Sequence, residues 1–160
     1  MTLDDAAELL AGTAGPVSGM RGHEEYPLAE TLDALQLVEA AHHAVGWSGD
    51  SLPDWWMYQI VCDDVVIGDV GFHGPPAVGG QPEVENGYDV VPGLRGRGIA
   101  TTACRLLLAL AWSQGAAVVR AETDPDNEAS RRVLLNAGFS TAGPDRYALL
   151  RPAPVVGSAA

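Results

Sequence analysis

The run Arg95-Gly96-Arg97-Gly98 sits between the β-branched stretch Tyr88-Asp-Val-Val-Pro and the apolar-periodic stretch that begins Ile99-Ala100-Thr-Thr-Ala-Cys. That order of residues suits an anion. A helix start leaves its first N–H groups unpaired, glycines let a ligand come close to them, and the helix dipole favours negative charge at that end. Phosphate is the obvious guest. A glycine-rich turn that merely opens a helix gives the same local signal, so the assignment has to be supported by other parts of the chain.

Charge is divided along the chain in a way that suits such a site. Residues 1–94 hold 16 acids and one base, Arg21, a net of −15, whereas residues 95–160 hold eight arginines and five acids, a net of +3. Six of those arginines (Arg95, Arg97, Arg105, Arg120, Arg131 and Arg132) fall within 38 residues. A basic half that holds a polyanion and an acidic half that faces something cationic would give this division, as would a solvated surface. The overall charge of −12 argues against nucleic acid, whose backbone rewards lysine and arginine. Cys62 and Cys104 lie far apart in apolar contexts with no CxxC spacing or histidine cluster, so buried thiols are expected rather than a disulfide or a metal site. No apolar run reaches the roughly 18 residues of a membrane span and the N-terminus lacks a basic signal region, so a cytoplasmic protein with no membrane partner is expected.

At 160 residues and 47% hydrophobic, the chain suits a single domain over residues 1–151, with a Pro/Gly/Ala-rich tail at 152–160. Leu3 to Leu10 and Leu28 to Val45 have helical spacing, the first followed by the Gly12–Pro16 breaker. Trp56–Cys62 and Val65–His73 read as a hairpin turning at Asp63-Asp64. Gly74–Pro82 is a loop, Glu83–Val91 a strand, Ile99–Gln114 a helix and Ala116–Thr123 a strand. Asn127 can cap a helix that stops at Gly138, and Arg146–Arg151 is a last strand. Such an order of strands and helices predicts an α+β (α/β-like) sheet with helices on its faces.

Three separated segments together resemble the GNAT superfamily of N-acetyltransferases. They are Gly71-Phe-His73-Gly-Pro-Pro76, then Val84-Glu85-Asn86-Gly-Tyr88 leading into Arg95–Ala100, then Asn127-Glu-Ala-Ser130-Arg131-Arg-Val-Leu134-Leu-Asn-Ala-Gly138-Phe. Within the superfamily, the subgroup acting on ribosomal-protein N-termini and related amines is the most similar. The resemblance implies a mixed sheet splayed at two parallel strands, here Glu83–Val91 and Ala116–Thr123, with acetyl-coenzyme A as co-substrate in the cleft and no metal. It also implies a pyrophosphate held by the backbone of Arg95, Gly96, Arg97, Gly98, Ile99 and Ala100. Asn127, Ser130 and Arg131 would touch the cofactor from the following helix, although Asn127 would serve equally as a plain cap.

Transfer from a thioester requires a neutral amine, and free amines have pKa values of about 8 to 10, so a proton acceptor is needed. The resemblance points first to Glu85, which could also be an outward residue of an alternating strand; Glu122, near the end of the adjacent strand and five residues before Asn127, is second, and His73 is a weaker candidate. It gives the oxyanion to the N–H of Val90 or Val91, and Val91 could also pair with pantetheine. This chain departs from the family at three points. Leu134 stands where many members carry an acidic tyrosine, which leaves water or a tyrosine such as Tyr147. Asn86 replaces an isoleucine, and the family's first strand is missing, formed by another segment, or supplied by a partner. Tyr26, Trp47, Trp55 and Trp56, with Glu24, Glu25 and Asp54, could surround a cationic acceptor or simply pack. The acceptor class stays open among peptide N-termini, polyamines, aminoglycosides and small metabolites, and so does the oligomeric state, although the resemblance allows a homodimer because dimers are common in the family. A non-catalytic acyl-coenzyme A sensor would keep the glycine loop without needing Glu85. A nucleotide-binding domain is disfavoured by the absence of a Gly-x-x-x-x-Gly-Lys motif.

Overall fold

The computed structural model describes residues 7, 9–11, 20–45, 55–76 and 79–153. Ala7, Leu9 and Leu10 are helical. The elements that follow are β1 (Arg21–Gly22), α1 (Ala29–Val45), β2 (Met57–Cys62), β3 (Val65–Phe72), β4 (Glu83–Val90), a 3-10 turn (Pro92–Leu94), α2 (Ile99–Ser113), β5 (Val118–Glu122), α3 (Glu128–Ala137), β6 (Ser140–Thr141) and β7 (Arg146–Leu150). Seven strands form one mixed sheet in the order β1-β3-β4-β5-β7-β6, with β2 on the other edge of β3. The fold is the splayed mixed sheet expected from the sequence.

Local chemistry accounts for the boundaries. Asp63 and Asp64 both take positive φ, 49° and 61°, the conformation that a two-residue hairpin turn requires and that aspartate tolerates better than most residues. Asn127 Oδ1 accepts the Ser130 N–H at 3.0 Å and starts α3, and Gly138 at φ 106° ends it by donating its N–H to Leu134 and Leu135. On β3, a Cβ at Gly71 would lie 2.2 Å from the Trp56 carbonyl oxygen, so β2 and β3 pair there only with glycine.

The sheet carries apolar side chains on both faces. Phe72, Val84, Cys104, Leu107, Leu108, Val119, Leu134, Phe139 and Tyr147 form the larger core, between the sheet and the α2/α3 layer. Leu9, Tyr26, Leu35, Met57, Ile67 and Val91 form a second core, to which α1 contributes Leu35. Three elements escaped the pattern reading: β1, β6 and the 3-10 turn are two or three residues long, too short to show a period. β1 bears on the missing first strand, since it lies before α1 and pairs in parallel with Val65 and Val66, beyond the end of β4. Of the two cysteines, Cys104 is buried as expected, whereas Cys62 is exposed at the end of β2.

Candidate active site

β4 and β5 run parallel but pair over only three positions, Glu83 with Val118, Val84 with Val119 and Glu85 with Arg120. Beyond Glu85 they part. Hydrogen-bonded pairs alternate in an antiparallel ladder. The Val91 N–H on Ile67 O and the His73 N–H on Glu85 O, each 2.9 Å, therefore turn the backbones of Glu85, Gly87, Asp89 and Val91 toward β3. The backbones of Asn86, Tyr88 and Val90 are left facing the gap. A cleft of about 700 Å³ fills it, reaching from the glycine loop and α3 across to α1. Val91 is thus corrected as a site residue: its N–H is committed to β3, it is fully buried, and it does not line the cleft. Val90 does line it, and its N–H is held by the Asp89 carboxylate at 2.7 Å.

At the mouth of the cleft, Gly96 and Gly98 take φ of 76° and 78°, and Gly98 is the N-cap of α2 with no side chain capping the first turn. A Cβ at either glycine would meet nothing within 4 Å, so these glycines are explained by backbone conformation and by the open space above them. Gly96, Gly98, Ile99 and Ala100 line the cleft as expected. Arg95 lines it too, in a different role. Its N–H is spent on Pro92 O at 3.2 Å, and its guanidinium folds back to Val90 O at 2.7 Å and Asp89 Oδ1 at 2.9 Å. Arg95 therefore fastens the loop to the end of β4 instead of offering its amide to an anion. Arg97 borders a separate groove formed by β2, β3 and α2.

The α3 wall brings Asn127, Ser130, Arg132 and Val133 to the cleft. The Asn127 cap uses only its Oδ1, leaving the amide NH2 for another acceptor. Ser130 Oγ lies 2.7 Å from the Tyr88 hydroxyl, and burial pushes that phenol upward, so it stays protonated. Arg131 is turned away, with Nε on the Tyr147 hydroxyl at 3.1 Å and a second nitrogen on Pro125 O at 3.2 Å. Tyr147 and Leu134 are core residues outside the cleft, so Tyr147 does not replace the absent tyrosine at 134. Tyr88 is the tyrosine that lines it. Asn86 is also explained: it is buried and lines the cleft, its Nδ2 donates to Cys104 Sγ at 3.6 Å, and its Oδ1 has no partner among the described residues. Burial pushes the Cys104 thiol up to about 12.

On the α1 face the carboxylates are arranged differently from the expectation. Glu85 does not line the cleft, and its Oε1 holds His73 Nδ1 at 3.1 Å while the imidazole reaches the cleft over Gly87. Glu122 lines the cleft and is paired with Arg146 at 3.0 Å. Sequence reasoning missed Glu30, Asp69 and Asp89, which also line it. Asp69 on β3 is opposite Asp89 on β4 and also opposite Gln59 on β2, so one polar row crosses three strands. An acid in the otherwise apolar run Val65-Val-Ile-Gly-Asp-Val-Gly-Phe was the available signal. Of the expected aromatic acceptor box, Trp55 packs against Phe72 with ring centroids 5.1 Å apart, Tyr26 is buried, and Glu25 accepts the Gly93 N–H at 3.2 Å. Trp47 and Asp54 lie outside the described residues.

A family model described as an acetyltransferase (GNAT) domain matches residues 1–140. No curated protein matches the sequence at a significant level. Among solved structures, a ribosomal-protein-alanine N-acetyltransferase from Brucella melitensis is 20% identical, with a TM-score of 0.62 over 94% of this chain and 97% of that one. YncA, an acetyltransferase from Salmonella typhimurium solved with acetyl-coenzyme A, is 20% identical with a TM-score of 0.59 over 94% and 90%. MccE, a microcin self-immunity acetyltransferase solved with acetyl-coenzyme A and AMP, is 15% identical with a TM-score of 0.60 over 93% and 88%. The parted parallel strands, the glycine loop ahead of α2 and the family match over most of the sequence agree: this chain belongs to the GNAT acetyltransferases.

Proposed function

We propose that the protein is an acetyl-coenzyme A-dependent N-acetyltransferase that moves the acetyl group directly to a primary amine in a ternary complex. The observation that carries this reading is the uncapped start of α2 at Gly98, opening onto the gap where β4 and β5 part. Acetyl-coenzyme A supplies a thioester as the acyl donor. The chain supplies amides: those of Gly96, Gly98, Ile99 and Ala100 receive the diphosphate, with Asn127 and Ser130 on the opposite wall. The N–H of Tyr88, whose backbone faces the gap, is the donor on β4 for a carbonyl oxygen gaining charge, since that of Val90 is held by Asp89. Glu85 acts through His73, fixing the imidazole over Gly87, and Glu122 adds negative charge at the β5 edge. The acceptor enters from the α1 face and is a protein N-terminus or a small-molecule amine. A single cytoplasmic domain over residues 1–151, working as a monomer or homodimer, suits this reading.

Steady-state thiol release with a panel of amines tests it. Turnover with at least one primary amine is expected, and coenzyme A but not ATP should raise the melting temperature. Stabilisation by coenzyme A with no amine consumed would leave a binding module and end the catalytic reading.

A further inference from the structure

We propose that Asp69, a residue of β3 outside the family-like segments, is the base that takes the proton from the acceptor ammonium. This rests on the acetyltransferase reading and gives the acceptor side of the cleft its chemistry.

Asp69 is 8% exposed and lines the cleft. Buried carboxylates are normally paired with a cation, because an unpaired buried charge is costly. Among the described residues none pairs with Asp69, whereas Asp89, Glu85 and Glu122 each have a cationic or imidazole partner. Its surroundings deepen the imbalance. Asp89 stands directly opposite on β4, Glu30 adds negative charge from α1, and the buried Tyr26 hydroxyl lies near enough to feel the Asp69 charge. Like charges opposite each other on neighbouring strands are destabilising. A protonated amine in the cleft supplies the missing countercharge.

The neighbouring groups divide the work. Arg95 lies 2.9 Å from Asp89 Oδ1 and offsets part of the burial that raises the Asp89 carboxyl, whereas no cation does the same for Asp69 among the described residues. The Thr31 hydroxyl donates to Asp69 Oδ2 and fixes the carboxylate, leaving Oδ1 for the substrate. Burial raises its pKa to about 6, which places its proton affinity near the working range of a general base. In the step, one N–H proton passes from the ammonium to Oδ1, giving a neutral amine and a carboxylic acid. The amine lone pair forms the N–C bond to the thioester carbonyl carbon, and the C–S bond breaks with its electron pair on sulfur. The second proton lost from nitrogen neutralises the thiolate, and the Asp69 proton returns to solvent.

The test compares the wild type, Asp69→Asn, Asp69→Glu and Thr31→Val with whichever amine the panel identifies. Asp69→Asn should lower kcat/KM by at least about a hundredfold. It should also lose the acid limb near pH 6, while the shift in melting temperature caused by coenzyme A stays at the wild-type value. Asp69→Glu should keep a limb at a reduced rate, and Thr31→Val, which removes a hydrogen bond favouring the ionised form, should move the limb to higher pH. Asp69→Asn retaining kcat/KM within about threefold of wild type, with its limb intact, overturns the proposal. Should Asp69→Asn fail to fold, a limb that stays in place in Thr31→Val overturns it as well. A wild type that acetylates no amine defeats the acetyltransferase reading first, and this proposal falls with it.

Discussion

The two walls of the cleft are made of different materials. The loop and α2 side presents backbone: Gly96 and Gly98 in positive φ, an uncapped helix start, and open space where side chains would project. The β3/β4 side facing α1 presents carboxylates, Asp69 and Asp89, brought together by strand register. Backbone amides are neutral dipoles that present the same partial positive charge at every pH and cannot titrate, so they suit a phosphate that must be held at any pH. A carboxylate changes charge, so it suits a proton that must move. On the proposed reading one wall binds and the other reacts.

Breaking the reactive wall has the largest expected effect. Asp69→Asn should cost kcat/KM about 10²- to 10⁴-fold with coenzyme A binding unchanged, measured by initial rates and thermal shift. It should also make the protein more stable at pH 7. The folded-state value of about 6 lies above the ordinary 3.8, so the ionised form is the disfavoured one. Its penalty is absent below about pH 4 and develops as pH rises through about 6. The melting temperature of Asp69→Asn should therefore exceed that of wild type by several degrees at pH 7 and match it near pH 4. A substitution that stabilises the fold while abolishing turnover distinguishes a reacting group from a structural one.

Breaking the binding wall should produce a smaller loss that appears in affinity. Alanine at Gly98 disfavours the left-handed conformation by about 1–2 kcal/mol, so in Gly98→Ala the free loop relaxes out of it, cofactor binding must restore it, and the KM for acetyl-coenzyme A should rise about 5- to 30-fold with kcat nearly unchanged. Glu85→Gln weakens only the support of His73, and kcat/KM should fall by less than about tenfold. A larger fall would move the base back to β4. Asn127→Ala removes a cap worth about 1 kcal/mol, so the melting temperature should drop by a few degrees.

The same contrast explains what could be read from the sequence. The binding wall is contiguous: Arg95 to Ala100 followed by an apolar period announces a helix start, and Asn127 with Gly138 brackets α3 as expected. Its errors came from hydrogen bonds that sequence does not reveal. Arg95 fastens to Val90 and Asp89, Arg131 to Tyr147, and the Val91 N–H faces β3 because the ladder alternates. The reactive wall is not contiguous. Asp69 and Asp89 are 20 residues apart and meet only because Gly68 aligns with Val90, and Thr31 arrives from a helix 38 residues away. Glu85 and Glu122 were visible because each lies on a strand at the cleft, but their partners, His73 and Arg146, depend on the folded strands.

The most direct test of the account is mass spectrometry of a mixed primary-amine library incubated with acetyl-coenzyme A and either wild type or Asp69→Asn. An acetylated amine should accumulate with the wild type and be nearly absent with the variant at equal coenzyme A occupancy. Equal product from both proteins, or none from the wild type, would contradict it.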